Sequence, residues 1–256
     1  MNETERYLFD TQGCIVVEDV LGPAQVERLL EDIPRHRDGR IVREAETREG
    51  GGKIDFAHEE MLGWDEPLFR DLIDHPQILP YLETIMGEQV EDPWAKPFYL
   101  AQVNGLTFEK GDSGPAFHHG GTPYQPVVSY AARHGKIYSG LTNVTWCLSA
   151  AAAGDGGLWY IPGSHKAHFA LPDEIRDYRA VPSCAFQPAV KAGSAIIFTE
   201  ALTHGTRPWA ADHPRVTLYY RYVPGYMAHL VKDWPAAALE RMSGRQRELC
   251  LPEKLY

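Results

Sequence analysis

Cysteine is sparse in this chain, and its spacing carries no metal or redox motif. Cys14, Cys147, Cys184 and Cys250 are spread over 256 residues without a CxxC pair, which argues against a zinc knuckle and against a disulfide framework. Buried, reduced thiols are the expectation. Positive charge is also in short supply, since 25 Lys and Arg against 35 Asp and Glu leave a formal net charge of −10. Such a surface repels a nucleic-acid polymer or an anionic membrane, and leaves room only for local basic pockets. No apolar run approaches membrane-spanning length, and the opening MNETERYLFDTQG lacks the basic and apolar regions of a signal peptide. The reading is therefore a cytoplasmic protein without membrane or nucleic-acid partners. Repeats and low-complexity linkers are missing too, and 44% apolar residues suffice for one full-sized core. One domain over residues 1–256 is expected, with a mostly helical buttress and lid (1–95), a β core (96–226) and a helical tail (227–256).

In chain order, residues 3–13 read as a short helix ended by glycine, and CIVV at 14–17 as a buried strand. Residues 22–33 open on a proline and place Val26, Leu29, Leu30 and Ile33 on one helical face. From residue 35 to 52 the chain is highly charged and ends in EGGGK, the pattern of a mobile loop. Arg43, and Lys53 just beyond, belong to a set of cations that either form a lid over an anionic substrate or simply face solvent. Helical patterns recur at 66–73 and 77–86. After Pro93 the texture changes to short apolar runs between glycines and prolines, at 98–103, 127–130, 139–148, 157–161, 185–190, 195–199 and 216–222. That many short strands without long helices between them predict a sandwich or jelly roll. Residues 236–250 read as a surface helix.

Two stretches carry chemistry. In PAFHHGGTPY, at 115–124, adjacent histidines on a strand point to opposite faces, so one of His118 and His119 is expected to look inward. In GSAIIFTEALTHGTRPWAADHPRVTLYYRY, from Gly193, the spacing gives a strand, a turn carrying His204, and a second strand with Arg215 at its mouth. Imidazoles suit a transition metal, and a guanidinium beside the metal suits the far carboxylate of a chelated organic acid. Taken singly, His204 caps a turn and Arg215 is an ordinary charge at a strand end.

GDGGLWYIPGSHKAHF at 154–169, followed by GSAIIFTEALTHG and Arg215, closely resembles the phytanoyl-CoA dioxygenase-like branch of the iron(II)- and 2-oxoglutarate-dependent oxygenases. The resemblance implies a mainly β fold, a double-stranded β-helix (jelly roll) with flanking α-helices. It also implies iron(II) held by an H-x-D/E…H triad, 2-oxoglutarate as cosubstrate, and O2. By that pattern His119 and His204 are the iron ligands, Arg215 anchors the oxoglutarate and Thr206 is a second contact. His165 in PGSHK matches a structural turn.

The chain departs from the family at the acid. Two residues after His119 stands Gly121, and two after His118 stands Gly120, so neither register supplies a carboxylate. This is the H-x-G pattern of the iron/oxoglutarate halogenases, in which chloride takes the open position and carbon collects chlorine instead of hydroxyl. The resulting expectation is a halogenase acting on an unactivated carbon of a freestanding small molecule. Glu200, four residues before His204, is the rival acid that would restore a hydroxylase, while Asp112 and Asp155 sit in glycine-rich turns. A non-catalytic binding module is the third reading. For substrate, Lys96, Phe98, Tyr99, Asn104, Tyr124, Arg43, Lys53 and Arg207 are candidates by position. Their aromatic faces and cations suit an anionic molecule such as a nucleotide.

Overall fold

The structure is a computed structural model. It describes residues 1–33, 41–45, 52–57, 59–89, 96–119, 125–227 and 233–251, with the backbone alone at 41–45, 52–57, 59 and 89. The expected N-terminal helix forms and ends at its glycine. Asn2 and Glu5 form a reciprocal cap on α1 (Glu3–Gln12), and Gly13 closes that helix in the left-handed region at φ 76°. Strand β1 (Cys14–Val17) follows, then α2 (Pro23–Asp32), which buries Val26 and Leu29. Each such side chain contributes about 1.5–3 kcal/mol on burial. Short helices α3 (Leu68–Asp71) and α4 (Leu79–Ile85) complete the N-terminal buttress.

From β1 the main sheet continues through β9 (Ala195–Thr199), β7 (Thr142–Cys147), β11 (Arg215–Pro224), β4 (Phe98–Phe108), β3 (Gly52–Ala57) and β2 (Ile41–Ala45). Its central strands are β4, β7, β9 and β11, all antiparallel to their neighbours. Alternation gives the sheet two faces. Val103, Trp146, Ile197, Leu218 and Tyr220 join Leu29, Phe69 and Leu82 in the large core on the helix side. The Tyr222 hydroxyl donates to the Ile73 carbonyl at 2.7 Å, tying that face to the helices. Residues between them in sequence look the other way, where Ile196 and Phe198 meet Leu158 and Tyr160. Those last two belong to β8 (Gly157–Tyr160), which pairs with β10 (His204–Arg207) in a second sheet. Two facing antiparallel sheets with helices outside are the expected jelly roll.

Several boundaries differ from the pattern. Within residues 35–52, expected to be a loop, Ile41–Ala45 forms β2, which pairs with β3 (Gly52–Ala57), and β3 extends the sheet from the edge of β4. Pairing with a free edge satisfies backbone groups that a charged sequence gives no reason to expect paired. The run at 139–148 is broken at Gly140, where a Cβ would lie 2.3 Å from the Val127 carbonyl oxygen, so it splits into β6 (Lys136–Ser139) and β7. Strand β5 (Tyr130–Arg133) makes a hairpin with β6 through His134 and Gly135, both at positive φ. The run at 185–190 forms only single bridges, Tyr160 with Phe186 and Ala151 with Val190. Pro188, between the two bridges, lacks an amide proton and cannot donate to a continuous ladder there. Short α5 (Asp173–Arg176) precedes it. The expected helix at 236–250 is two, α6 (Ala236–Arg241) and α7 (Gly244–Cys250), because Ser243 caps a new start. Among the described residues no helix is long and apolar enough to cross a membrane.

Candidate metal centre

The turn expected to carry His204 is instead the start of β10, which has partners on both sides. Beyond its ladder with β8, the His118 amide donates to the His204 carbonyl at 3.0 Å, the His204 amide to the His118 carbonyl at 3.2 Å, and the Thr206 amide to the Pro115 carbonyl at 2.8 Å. His118 and His204 are thus directly opposite, and opposed residues share a face. Their ring centroids lie 4.2 Å apart. Each ring places Nδ1 on a backbone carbonyl two residues earlier, Ala116 at 2.8 Å and Leu202 at 2.7 Å. A carbonyl only accepts, so both Nδ1 atoms carry the proton and both Nε2 atoms keep a lone pair for a ligand.

His119 corrects the alternation argument. Its φ of 62° departs from strand geometry, and its ring lies on the same side as the His118 ring, 4.6 Å away. Its Nε2 then meets Glu200 Oε1 at 3.0 Å. Donor atoms of His118, His119 and Glu200 all lie within 4.8 Å of one another, a group able to hold a metal ion. The His204 ring stands 5.8 Å from that of His119.

Glu200 reaches this point from the turn after β9, where its amide donates to the Leu141 carbonyl at 2.8 Å. Burial opposes its charge, but the hydrogen bond with His119 and the nearby His204 and Arg221 outweigh burial and hold the carboxyl well below the usual carboxylate range. The acid is therefore an anion. Burial first, and then the neighbouring His118, push His204 down to about 3, while burial lowers His118 as well. Neutral imidazoles beside an ionised carboxylate are the protonation states that metal ligation requires.

Arg215 opens β11 opposite Phe108 and is 4% exposed, with its guanidinium 5.5 Å from the Phe108 ring centre. Its Nη1 is buried without a hydrogen-bond partner among the described residues. Gly157, at φ 76°, makes room for it, since a Cβ there would lie 2.8 Å from Arg215 Nε. Arg215 and Thr217 line a small cavity with Ser149, Leu158 and Ile196. A buried cation with an unused donor is what a carboxylate satisfies, so the donor chemistry here suits one end of a dicarboxylate. Thr206 is buried on β10, two residues past His204, about 7 Å at the rise of a strand. Oxygen atoms of Asn104, Thr145 and Thr217, on the same face of the main sheet, are also buried without partners among the described residues. The two-residue alternation with Arg215 is a sequence signal for Thr217, whereas Thr145 joins this face only through the pairing of β7 with β11.

The other candidates scatter. Phe98 packs edge-on to Tyr222, in the helix-side core, at a centroid distance of 6.0 Å. Tyr99 is buried and donates its hydroxyl to the Met227 carbonyl at 2.8 Å. Lys96 binds the Glu248 and Leu251 carbonyls at the C-terminal helix. Arg207 stacks over Trp159 at 5.0 Å and Tyr178 at 5.5 Å. Gly120, Gly121 and Tyr124 lie outside the described residues, as do the side chains of Arg43 and Lys53. Asp112 and Asp155 accept the amides of Glu109 and Ala152 at 2.8 and 2.7 Å. His165 is buried with Nε2 3.0 Å from the Asp10 carbonyl.

Known structures share this architecture. The crystal structure of HygX from Streptomyces hygroscopicus with nickel and 2-oxoglutarate bound is 20% identical, covers 89% of each chain and superposes with a TM-score of 0.72. HygX with hygromycin B also bound gives 21% identity, 89% of each chain and a TM-score of 0.71. The epimerase SnoN from nogalamycin biosynthesis, described as non-heme and alpha-ketoglutarate dependent, gives 18%, 91% of this chain, 89% of that one and 0.64. No curated protein matches the sequence. The signature of the phytanoyl-CoA dioxygenase family matches residues 9–217, from within α1 to the third residue of β11. The protein therefore belongs to the phytanoyl-CoA dioxygenase family and is an iron- and 2-oxoglutarate-dependent oxidoreductase.

Proposed function

We propose that the protein hydroxylates an unactivated carbon of a freestanding small molecule, with iron(II) held by Glu200, His204 and His119 and with 2-oxoglutarate anchored by Arg215. The observation that carries this reading is the ionised Glu200 carboxylate lying 3.0 Å from His119 Nε2. It supplies the acid that residues 120 and 121 do not. Iron(II) with 2-oxoglutarate supplies the oxidising power for attack on a C–H bond once O2 is consumed. The protein's own groups do the rest. Leu202 and Ala116 carbonyls orient the His204 and His118 rings, and burial keeps both imidazoles neutral. Arg215 and Thr206 hold the diacid, the guanidinium fork matching a carboxylate's two oxygens. His118 stands beside the ligands as the alternative to His119.

Support for the substrate class is the polar character of the site-facing residues Asn104, Tyr219 and Arg221, which suits an oxygen-rich or anionic molecule. HygX binds hygromycin B and SnoN binds nogalamycin RO, so these two compounds join nucleotides on the panel to be tried. Chlorination is the second reading, favoured by the glycines at 120 and 121. It requires chloride in place of Glu200 at the metal. Mass spectrometry of products from the panel, run with and without chloride, separates the two. A product 16 mass units heavier in both conditions supports hydroxylation, and a chlorinated product formed only with chloride refutes it. A Gly121→Asp variant that loses only chlorination points the same way as the second outcome.

A further inference from the structure

We infer that Asn143 and Arg221 are positioning residues that set the Glu200 carboxylate against the metal, an inference that rests on the reading of Glu200 as a metal ligand. Gln102, Arg221 and Asn143 stand directly opposite one another on β4, β11 and β7, on the face of the sheet away from the helices. Hydrogen bonds run along this row. Arg221 Nη1 donates to Gln102 Oε1 at 2.8 Å and Arg221 Nε donates to Asn143 Oδ1 at 2.9 Å. Asn143 Nδ2 in turn donates to Glu200 Oε2.

The direction of the chain is fixed by chemistry. A guanidinium only donates, so the Asn143 oxygen must face Arg221 and its NH2 must face the carboxylate. Glu200 Oε2 is thereby occupied, and Oε1 is left on the side of His119. Asn143 pairs with Phe198 on β9, two residues before Glu200, so the row reaches the acid where the strand ends. A carboxylate in an H-x-D motif is aimed by its own strand. Glu200 sits in a turn, and Asn143 aims it instead. Asn143 is 1% exposed, and Arg221 places a compensating charge near the buried acid while leaving the carboxylate oxygens to Asn143 and the metal.

The test is metal affinity in the whole protein, titrated anaerobically with iron(II) and with cobalt(II), whose visible absorption reports ligand geometry. Asn143→Ala is expected to weaken binding about ten- to a hundredfold and to alter the cobalt spectrum. Asn143→Asp should do at least as much harm, because it sets one carboxylate against another. Arg221→Lys, whose ammonium lacks the fork that grips Asn143 and Gln102 together, should fall between wild type and Asn143→Ala. The decisive comparison is the double variant with Glu200→Ala. If Asn143 acts through Glu200, adding Asn143→Ala to Glu200→Ala causes no further loss. Additive losses, or wild-type affinity in Asn143→Ala, overturn the inference. Unchanged affinity in Glu200→Ala alone would overturn the parent reading, and this one with it. Should Asn143→Ala fail to fold, Arg221→Lys and its double with Glu200→Ala carry the same comparison.

Discussion

Glu200 Oε1 lies 3.0 Å from His119 Nε2, although one residue occupies the turn after β9 and the other follows the extended segment that pairs with β10. Two donors at about 2.1 Å from one ion, at right angles, are separated by about 3 Å. The contact therefore has the spacing of neighbouring ligands as well as that of an ion pair.

Replacing Glu200 by Ala should weaken iron(II) binding and stop 2-oxoglutarate decarboxylation, and Glu200→Gln should recover little of either because the amide brings no charge. Anaerobic titration followed at the oxoglutarate-to-iron charge-transfer band checks both. Wild-type affinity in these variants would leave the carboxylate without a role at the metal.

Arg215→Ala should leave metal binding intact and raise the 2-oxoglutarate KM. Truncating one partner of a buried charge pair costs about 2 kcal/mol or more, roughly thirtyfold in affinity. Arg215→Lys should recover only part, since a single ammonium cannot make the bidentate contact. Steady-state kinetics with varied oxoglutarate decides, and a change in kcat alone would argue against an anchoring role.

Gly157→Ala combines two penalties. The residue sits at φ 76°, which a side chain disfavours by about 1–2 kcal/mol, and the new Cβ would lie 2.8 Å from Arg215 Nε. The unfolding midpoint should drop by a few degrees. Oxoglutarate binding should weaken in the same variant, measurable by calorimetry on the iron-loaded protein without substrate.

Stability should fall as the solution is acidified from about pH 6.5 towards 4. Burial pushes His165 from 6.5 down to about 4, so the unfolded chain takes up a proton in this window that the folded chain refuses. Because the folded value is the lower one, the contribution is complete above pH 6.5 and is lost on the way down to 4, amounting to about 3 kcal/mol. Replacing His165 by Gln should flatten the slope of unfolding free energy against pH by up to one proton. Denaturant melts at several pH values measure it, and an unchanged slope would mean that His165 charges as readily folded as unfolded.

The elements set by local signals were legible. Asn2 with Glu5 and the glycine at 13 bound α1, and the β-branched runs at 14–17 and 195–199 are β1 and β9 with the expected limits. Elements that exist only through a partner were not. Ile41–Ala45, Gly52–Ala57 and His204–Arg207 are strands because a neighbouring edge offers hydrogen bonds. The run at 185–190 fails as a strand because its neighbour meets it at single points.

By itself the sequence determined the jelly roll, the family, and the presence of two imidazole sources and one arginine in the right order, because those depend on residue type, period and motif spacing. Which acid faces the histidines was decided only by tertiary structure. A left-handed His119 and a row of hydrogen bonds across β4, β11 and β7 bring Glu200 to them. Backbone conformation at one residue and side-chain contacts between distant strands leave no periodic trace in a sequence, so a chain that reads as lacking its carboxylate presents one from a turn.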